Sequence, residues 1–303
     1  MIALFFLTGC SNSASLPSHS SAKSTPAPVD PIEKQLDLIA AEAKGRVGVS
    51  AVIIESDETI ATRNAHDHFP MQSVYKLPIS MAVMKQVDEG KLRLDQKVRI
   101  GKNDYVPRLA YSPIRDQFPD GTELTVDELV QFALKQSDGT ASDVLMKVAG
   151  GSAAVQKYLT DLPVTEITVL NTEKELAQDW QAQYRNYATP DAAVLLLRAL
   201  FGQRGLSAAS QGLLMKYMTD STPGAKRLKG LLPAGTIVAH KTGTSGTKNG
   251  ITAATNDIGL INLPGGKHLA IAVFVSDSPA DDATRDQIIA KIAKLAWDSA
   301  WNR

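Results

Sequence analysis

Strand-patterned runs stand near both ends of this 303-residue chain, and the long stretch between them is patterned as helix. Arg46-Val-Gly-Val-Ser-Ala-Val-Ile-Ile-Glu55 reads as a strand, and Thr59–Arg63 pairs with it across the Ser56-Asp57-Glu58 turn. Three more strands are predicted over 237–244, 257–263 and 269–276, the last two joined by a Pro264-Gly265-Gly266-Lys267 hairpin turn. Between the two groups, apolar residues recur at helical spacing. A Thr125-Val-Asp-Glu128 capping box opens a helix running to Lys135, and further helices are predicted over 142–148, 152–159, 190–201 and 207–218. Helices also precede the first strand (32–43) and follow the last, where Asp281 caps a run with an Ile288, Ile289, Ile292, Leu295, Trp297 stripe. Strands that distant in sequence can share a core only if the chain ends come together. The expected fold class is therefore α+β: a five-stranded antiparallel sheet from both chain ends, flanked by helices, with an inserted all-helical lobe.

We divide the chain into a signal or lipobox segment (1–10), a flexible linker (11–31) and one folded domain (32–303). Within the domain, 32–72 and 220–303 form the sheet lobe and 73–219 the helical lobe. The linker is rich in Ser, Pro and Ala and has too few large apolar residues to fold. Leu7-Thr-Gly-Cys10 closes a short apolar run, as at an export signal, and is similar to a bacterial lipoprotein box in which Cys10 would be lipidated. Cys10 is the only cysteine, so the domain needs no internal disulfide. The expectation is an exported, periplasmic protein, with a possible lipid anchor through Cys10. Lys+Arg equals Asp+Glu at 32 each, which leaves no charge excess to attract nucleic acid. The five His are scattered, with His66 and His68 in a solvated loop, and no metal or cofactor is implied. Nothing suggests a large interface, and a monomer is expected.

Chemistry centres on Ser73-Val-Tyr-Lys76. Residues at i and i+3 share a helix face, which brings a hydroxyl and an amine together. A Ser on the first turn of a helix also lies at its positive end. Alone, Ser-x-x-Lys is as well read as an ordinary helix start, and Pro78 sits awkwardly in a helix. Two later segments change that reading. Ser137-Asp138-Gly139 breaks two helices, and Lys241-Thr242-Gly243-Thr244-Ser245 lies on a predicted strand. Between them, 170–189 is a long polar stretch carrying Glu173, and such loops in compact domains are commonly functional.

In this order and spacing, the three motifs resemble those of the penicillin-recognising serine enzymes. Glu173-Lys-Glu-Leu176 ahead of Tyr187-Ala-Thr-Pro190 resembles the Ω-loop of class A β-lactamases. Phe69-Pro-Met-Gln-Ser73, Tyr111-Ser-Pro113, Asp179-Trp180, His240-Lys-Thr-Gly-Thr-Ser245 and Thr252-Ala-Ala-Thr-Asn-Asp257 are similar to the cephalosporin-favouring PER and VEB subgroup. The resemblance implies β-lactam antibiotics as substrates and a β-lactamase/transpeptidase-like fold. It implies that Ser73 is acylated, that Lys76 and Glu173 share proton duties, and that the Ser73 and Thr244 N–H groups hold the oxyanion. Ser137 would protonate the leaving nitrogen, with Lys241 beside it. Thr242, Thr244, Gly243 and Ser245 would line the substrate carboxylate subsite, with Tyr111 as an aromatic wall. Glu173 would then activate the hydrolytic water.

The chain departs from the family pattern in places. Gly139 stands where an Asn amide is usual, and Ala177 where a second Asn helps hold the water. Asn171 and Asn186 replace an Arg–Asp pair that closes the loop. Lys174 and Glu175 read as a solvated charge pair. Arg227 matches an alternative position for the carboxylate-binding Arg, with a surface Arg as the equal alternative. The rival functions are a DD-peptidase, a serine esterase or an acylated sensor domain. The first two have no need of Glu173, and the third would not deacylate.

Overall fold

The computed structural model describes residues 31–301 apart from Pro163 and Gln203, together with Met1, Ile2, Leu4 and Gly9. The readings of Cys10 and of the linker over 11–30 lie outside the described residues. The first helix, Pro31–Ala41, starts one residue before the expected boundary, with proline where its missing N–H costs nothing.

The main sheet joins both chain ends. Its long strands are β1 (Arg46–Ile53), β2 (Glu58–Arg63), β3 (Val238–Thr244), β4 (Ile251–Asn262) and β5 (His268–Ser278), in the spatial order β2-β1-β5-β4-β3. All neighbouring pairs are antiparallel. A two-residue strand, Thr247–Lys248, pairs with the start of β4 and brings the sheet to six strands rather than the expected five. The fourth strand also starts six residues earlier than its apolar pattern suggested. Thr252-Ala-Ala-Thr-Asn256 shows no alternation, yet it pairs with β5 from Thr252 onward, so backbone pairing extends the strand.

Both faces of this sheet are buried, by different partners. Along β5, Leu269, Ile271, Val273 and Val275 face a core shared with Leu36, Ile288, Ile289 and Ile292 of the terminal helices. The alternate residues Ala270, Ala272 and Phe274 join the core of the helical lobe. The period-two geometry of a strand thus splits one apolar run between two cores. Burying each Leu or Ile contributes about 1.5–3 kcal/mol, so the terminal helices are held by their stripe.

At the centre of the helical lobe is Lys76–Asp88, buried throughout Lys76–Met84. Ser73 does not open this helix directly. It lies in a preceding 3₁₀ turn, Gln72–Tyr75, and the α-helix begins at Lys76. That resolves the difficulty with Pro78, which is the third helical residue, where an amide has no helical partner to lose. The Thr125 capping box forms as expected at the head of Val126–Lys135. The 170–189 stretch is less irregular than its composition implies: Glu173–Leu176 is one helical turn, Trp180–Tyr184 a 3₁₀ turn, and Tyr187–Ala188 pairs with Phe69–Pro70 just before Ser73.

Candidate active site

A cleft of about 840 Å³ opens between the lobes, lined among others by Ser73, Lys76, Ser137, Glu173, Thr242 and Thr244. Lys76 Nζ donates to Ser73 Oγ at 2.8 Å and to the Ser137 carbonyl at 2.7 Å. It also lies 2.8 Å from Glu173 Oε1. That third contact is an ion pair rather than an aligned hydrogen bond, because Glu173 Oε1 is buried without a hydrogen-bond partner among the described residues. The ammonium is 1% exposed, so these three oxygens replace its water.

Two residues beside the cleft adopt positive φ without being glycine: Gln72 at 49° and Ser137 at 61°. Each such backbone costs about 1 kcal/mol or more and needs support from its surroundings. The Gln72 amide donates to Gln183 Oε1 at 2.8 Å, and Gln183 donates to the Trp180 carbonyl at 2.8 Å, so the turn holding Ser73 leans on the loop holding Glu173. Ser137 is held at its carbonyl by Lys76 and at its hydroxyl by Lys241 Nζ, at 2.9 Å. Lys241 is fully buried. Burial, and then the nearby Lys76 charge, push its ammonium well below the ordinary lysine range. Asp138 pins the same break by accepting from Ile114 N–H at 2.7 Å and Ala141 N–H at 2.8 Å, while burial pushes its carboxyl up.

Glu173 is placed by a residue that the sequence reading passed over. Asp143, on the Gly139–Val148 helix, accepts from the Glu173 N–H at 2.7 Å and the Lys174 N–H at 3.1 Å. It thereby caps the short turn from outside, an arrangement that the turn's dipole favours. Burial pushes the Asp143 carboxyl up to about 7, against these two donors. A lone carboxylate in the helix after Ser137-Asp138-Gly139 was its only sequence signal. Asn186 does the work of the absent ion pair: its carbonyl accepts from Leu170 and Asn171 N–H at 2.8 and 2.9 Å, and its amide donates to the Asn171 carbonyl at 2.8 Å. Lys174 and Glu175 are not paired with each other. Glu175 closes a capping box with Thr172, and Lys174 reaches the Asn103 carbonyl.

The strand side brings together most of the residues expected there. Gly243 is where β3 presses on the turn that carries Ser73: a Cβ there would stand 2.2 Å from the Met71 carbonyl, next to Gln72 and Val74. Thr242 and Thr244 line the cleft. Ser245 lines it too, but its hydroxyl accepts from Ala254 N–H at 2.9 Å and donates to the Gly246 carbonyl at 2.8 Å, so it is committed to the hairpin. Tyr111 stands 64% exposed at the cleft's rim, and its carbonyl receives the Gly139 N–H at 3.0 Å. A Cβ at Gly139 would lie 3.1 Å from that carbonyl and 3.4 Å from Glu173 Cγ.

Arg227 is neither a surface residue nor a lining one. It is 8% exposed, ion-paired to Asp286 at 2.7 Å, and donates to the Gly243 and Asn256 carbonyls and to Thr244 Oγ1, the last at 2.8 Å. Because the Thr244 hydroxyl accepts from Arg227, its own hydrogen is free to point into the cleft. Arg227→Ala is expected to raise KM for carboxylate-bearing substrates about tenfold, the scale of one charged hydrogen bond, with a smaller change in kcat. Steady-state kinetics check it; an unchanged KM would remove Arg227 from substrate recognition.

An antiparallel sheet with flanking helices and an inserted helical lobe, meeting at a buried Ser–Lys–Glu cluster, defines the class: an α+β protein with a serine-centred cleft. Comparison with known proteins narrows this. The model of the β-lactamase enzyme family matches residues 31–300. The β-lactamase VEB-1 of Pseudomonas aeruginosa is 39% identical over 279 residues, covering 91% of this chain and 93% of that protein. The extended-spectrum β-lactamase PER-1 of the same organism is 41% identical, covering 88% and 86%. The crystal structure of a β-lactamase from Chitinophaga pinensis is 45% identical with a TM-score of 0.87, covering 89% of this chain and all of that one. The chain belongs to the β-lactamase enzyme family and is a class A serine β-lactamase, an enzyme that opens β-lactam rings and so confers antibiotic resistance.

Proposed function

We propose that this enzyme hydrolyses penicillins and cephalosporins through an acyl-enzyme on Ser73 that water activated by Glu173 releases. The observation carrying the proposal is that Lys76 Nζ lies 2.8 Å from both Ser73 Oγ and Glu173 Oε1. Ser73 Oγ attacks the strained carbonyl, and its proton passes to the Lys76–Glu173 pair. The Ser73 and Thr244 N–H groups receive the oxyanion. As the C–N bond breaks, Ser137 gives its proton to the nitrogen and is reprotonated by the proton that the Lys76–Glu173 pair took from Ser73, which frees Glu173 for the next step. Lys241, 2.9 Å from that hydroxyl, supports the transfer and draws the substrate carboxylate towards Thr242 and Thr244. Glu173 then takes a proton from water, which attacks the ester and returns Ser73. Glu173 Oε1 is a buried acceptor with no aligned donor, which suits a group that must take a proton.

The PER-1 relative is described as extended-spectrum, and we extend that breadth to this chain, with cephalosporins among its substrates. The apolar run ending in the Leu-Thr-Gly-Cys10 box is our ground for export to the periplasm with a lipid tether at Cys10; a monomer is the state we expect. The catalytic reading is tested by whether the purified protein turns over many equivalents of a chromogenic cephalosporin.

A further inference from the structure

Tyr75 has no part in the reaction as described so far, yet it is the largest fully buried side chain, two residues from Ser73. Its ring belongs to the core of the helical lobe, but its hydroxyl faces polar groups: the Ser142 and Glu173 side chains, with Asp143 close by. Tyr75 Oη, Ser142 Oγ and Glu173 Oε1 are all buried, and none has an aligned hydrogen-bond partner among the described residues. A buried phenol without a partner is costly unless it serves a neighbour. The neighbour here is a carboxyl that lacks side-chain amides from both Gly139 and Ala177.

We propose that Tyr75 is a positioning residue for deacylation: its hydroxyl donates to the Glu173 carboxylate and, with Ser142 behind it, orients that carboxylate for water. This rests on Glu173 being the base that releases the acyl-enzyme. Three charged groups act on that carboxylate. Lys76 faces it at 2.8 Å from the Lys76–Asp88 helix, and Lys241 acts on it from β3. Asp143 opposes it from the Gly139–Val148 helix, which also carries Ser142. Tyr75 approaches from the 3₁₀ turn as an uncharged donor, and burial, then the nearby Glu173 and Asp143 carboxylates, push its own ionisation well up, so it stays protonated. A donor to an ionised carboxylate favours the ionised form. Removing it therefore disfavours the ionised base and moves the acid limb of deacylation to higher pH.

The test uses Tyr75→Phe, which keeps the buried ring, and Ser142→Ala, with acylation and deacylation rates measured separately across pH. The expected result for Tyr75→Phe is a loss of about tenfold in deacylation, acylation within about twofold, and an acid limb moved to higher pH; Ser142→Ala moves the limb in the same direction by less. Equal losses in both steps with an unmoved limb would mean that Tyr75 only packs, and would overturn the proposal, as would no change at all. Should Tyr75→Phe fail to fold, an unmoved limb in Ser142→Ala does the same. Glu173→Ala separates this from the underlying reading. If that variant still deacylates briskly, the base assignment itself falls; if it does not, adding Tyr75→Phe to it should slow deacylation no further.

Discussion

Glu173→Ala is expected to stop the reaction halfway. A positioned general base contributes roughly 10²–10⁴-fold, so release of the acyl-enzyme should slow by about a thousandfold while Ser73 is still acylated. The geometry explains why the two steps separate. Lys76 Nζ meets Ser73 Oγ and the Ser137 carbonyl directly, so neither contact runs through Glu173. Nothing else in the cleft's deep side replaces the lost base, because position 177 is alanine and Asp143 is turned to the Glu173 and Lys174 amides. Intact-mass measurement after mixing with a cephalosporin should show a lasting adduct on the variant and none on the parent. Brisk steady turnover by the variant would remove Glu173 from the mechanism. Acylation that slows as severely as release would show that Glu173, not Lys76, takes the first proton.

Gly243→Ala is expected to damage both folding and chemistry. The added methyl would stand 2.2 Å from the Met71 carbonyl. The turn cannot easily retreat, because the Asn256 amide of the neighbouring strand ties down the Pro70 and Met71 carbonyls at 2.8 and 3.1 Å. Strand β3 must move instead, and with it Lys241, Thr242 and Thr244. Overpacking of this kind costs about 1–3 kcal/mol, or roughly 2–10 °C in melting temperature for a chain this large. A displacement near 1 Å between Ser73 and the strand should lower kcat/KM about a hundredfold. Calorimetry and steady-state kinetics check the two parts. An unchanged melting temperature with full activity would show that the turn and the strand do not rely on this contact.

These two residues also mark what could be read before the fold was seen. Strand patterning at both ends, the Thr125 capping box and the Ser73–Lys76 spacing are local features, and all three recur in the structure. Gly243 stood out by its motif, but its reason lies in the Met71 carbonyl, more than 170 residues earlier in the chain. What escaped was set by partners distant in sequence. Asp143 acts on amides thirty residues later, and Gln72 reaches Gln183 across the whole helical lobe. Arg227 matched a pattern for carboxylate binding, yet its guanidinium is spent on Asp286, two carbonyls and Thr244. The extra length of β4 was hidden because small polar residues carry no alternation even when their backbone is fully paired. Tyr75 drew no role from the sequence, since only the fold shows where its hydroxyl lies.

The central claim is a complete cycle: Ser73 is acylated and then released without an amide at either Gly139 or Ala177. It is tested most directly by a time course of the purified protein with a chromogenic cephalosporin, at substrate far above enzyme. The account predicts linear product formation well beyond one equivalent. A burst of one equivalent followed by a plateau would contradict it, leaving a protein that Ser73 commits to a β-lactam and Glu173 does not free.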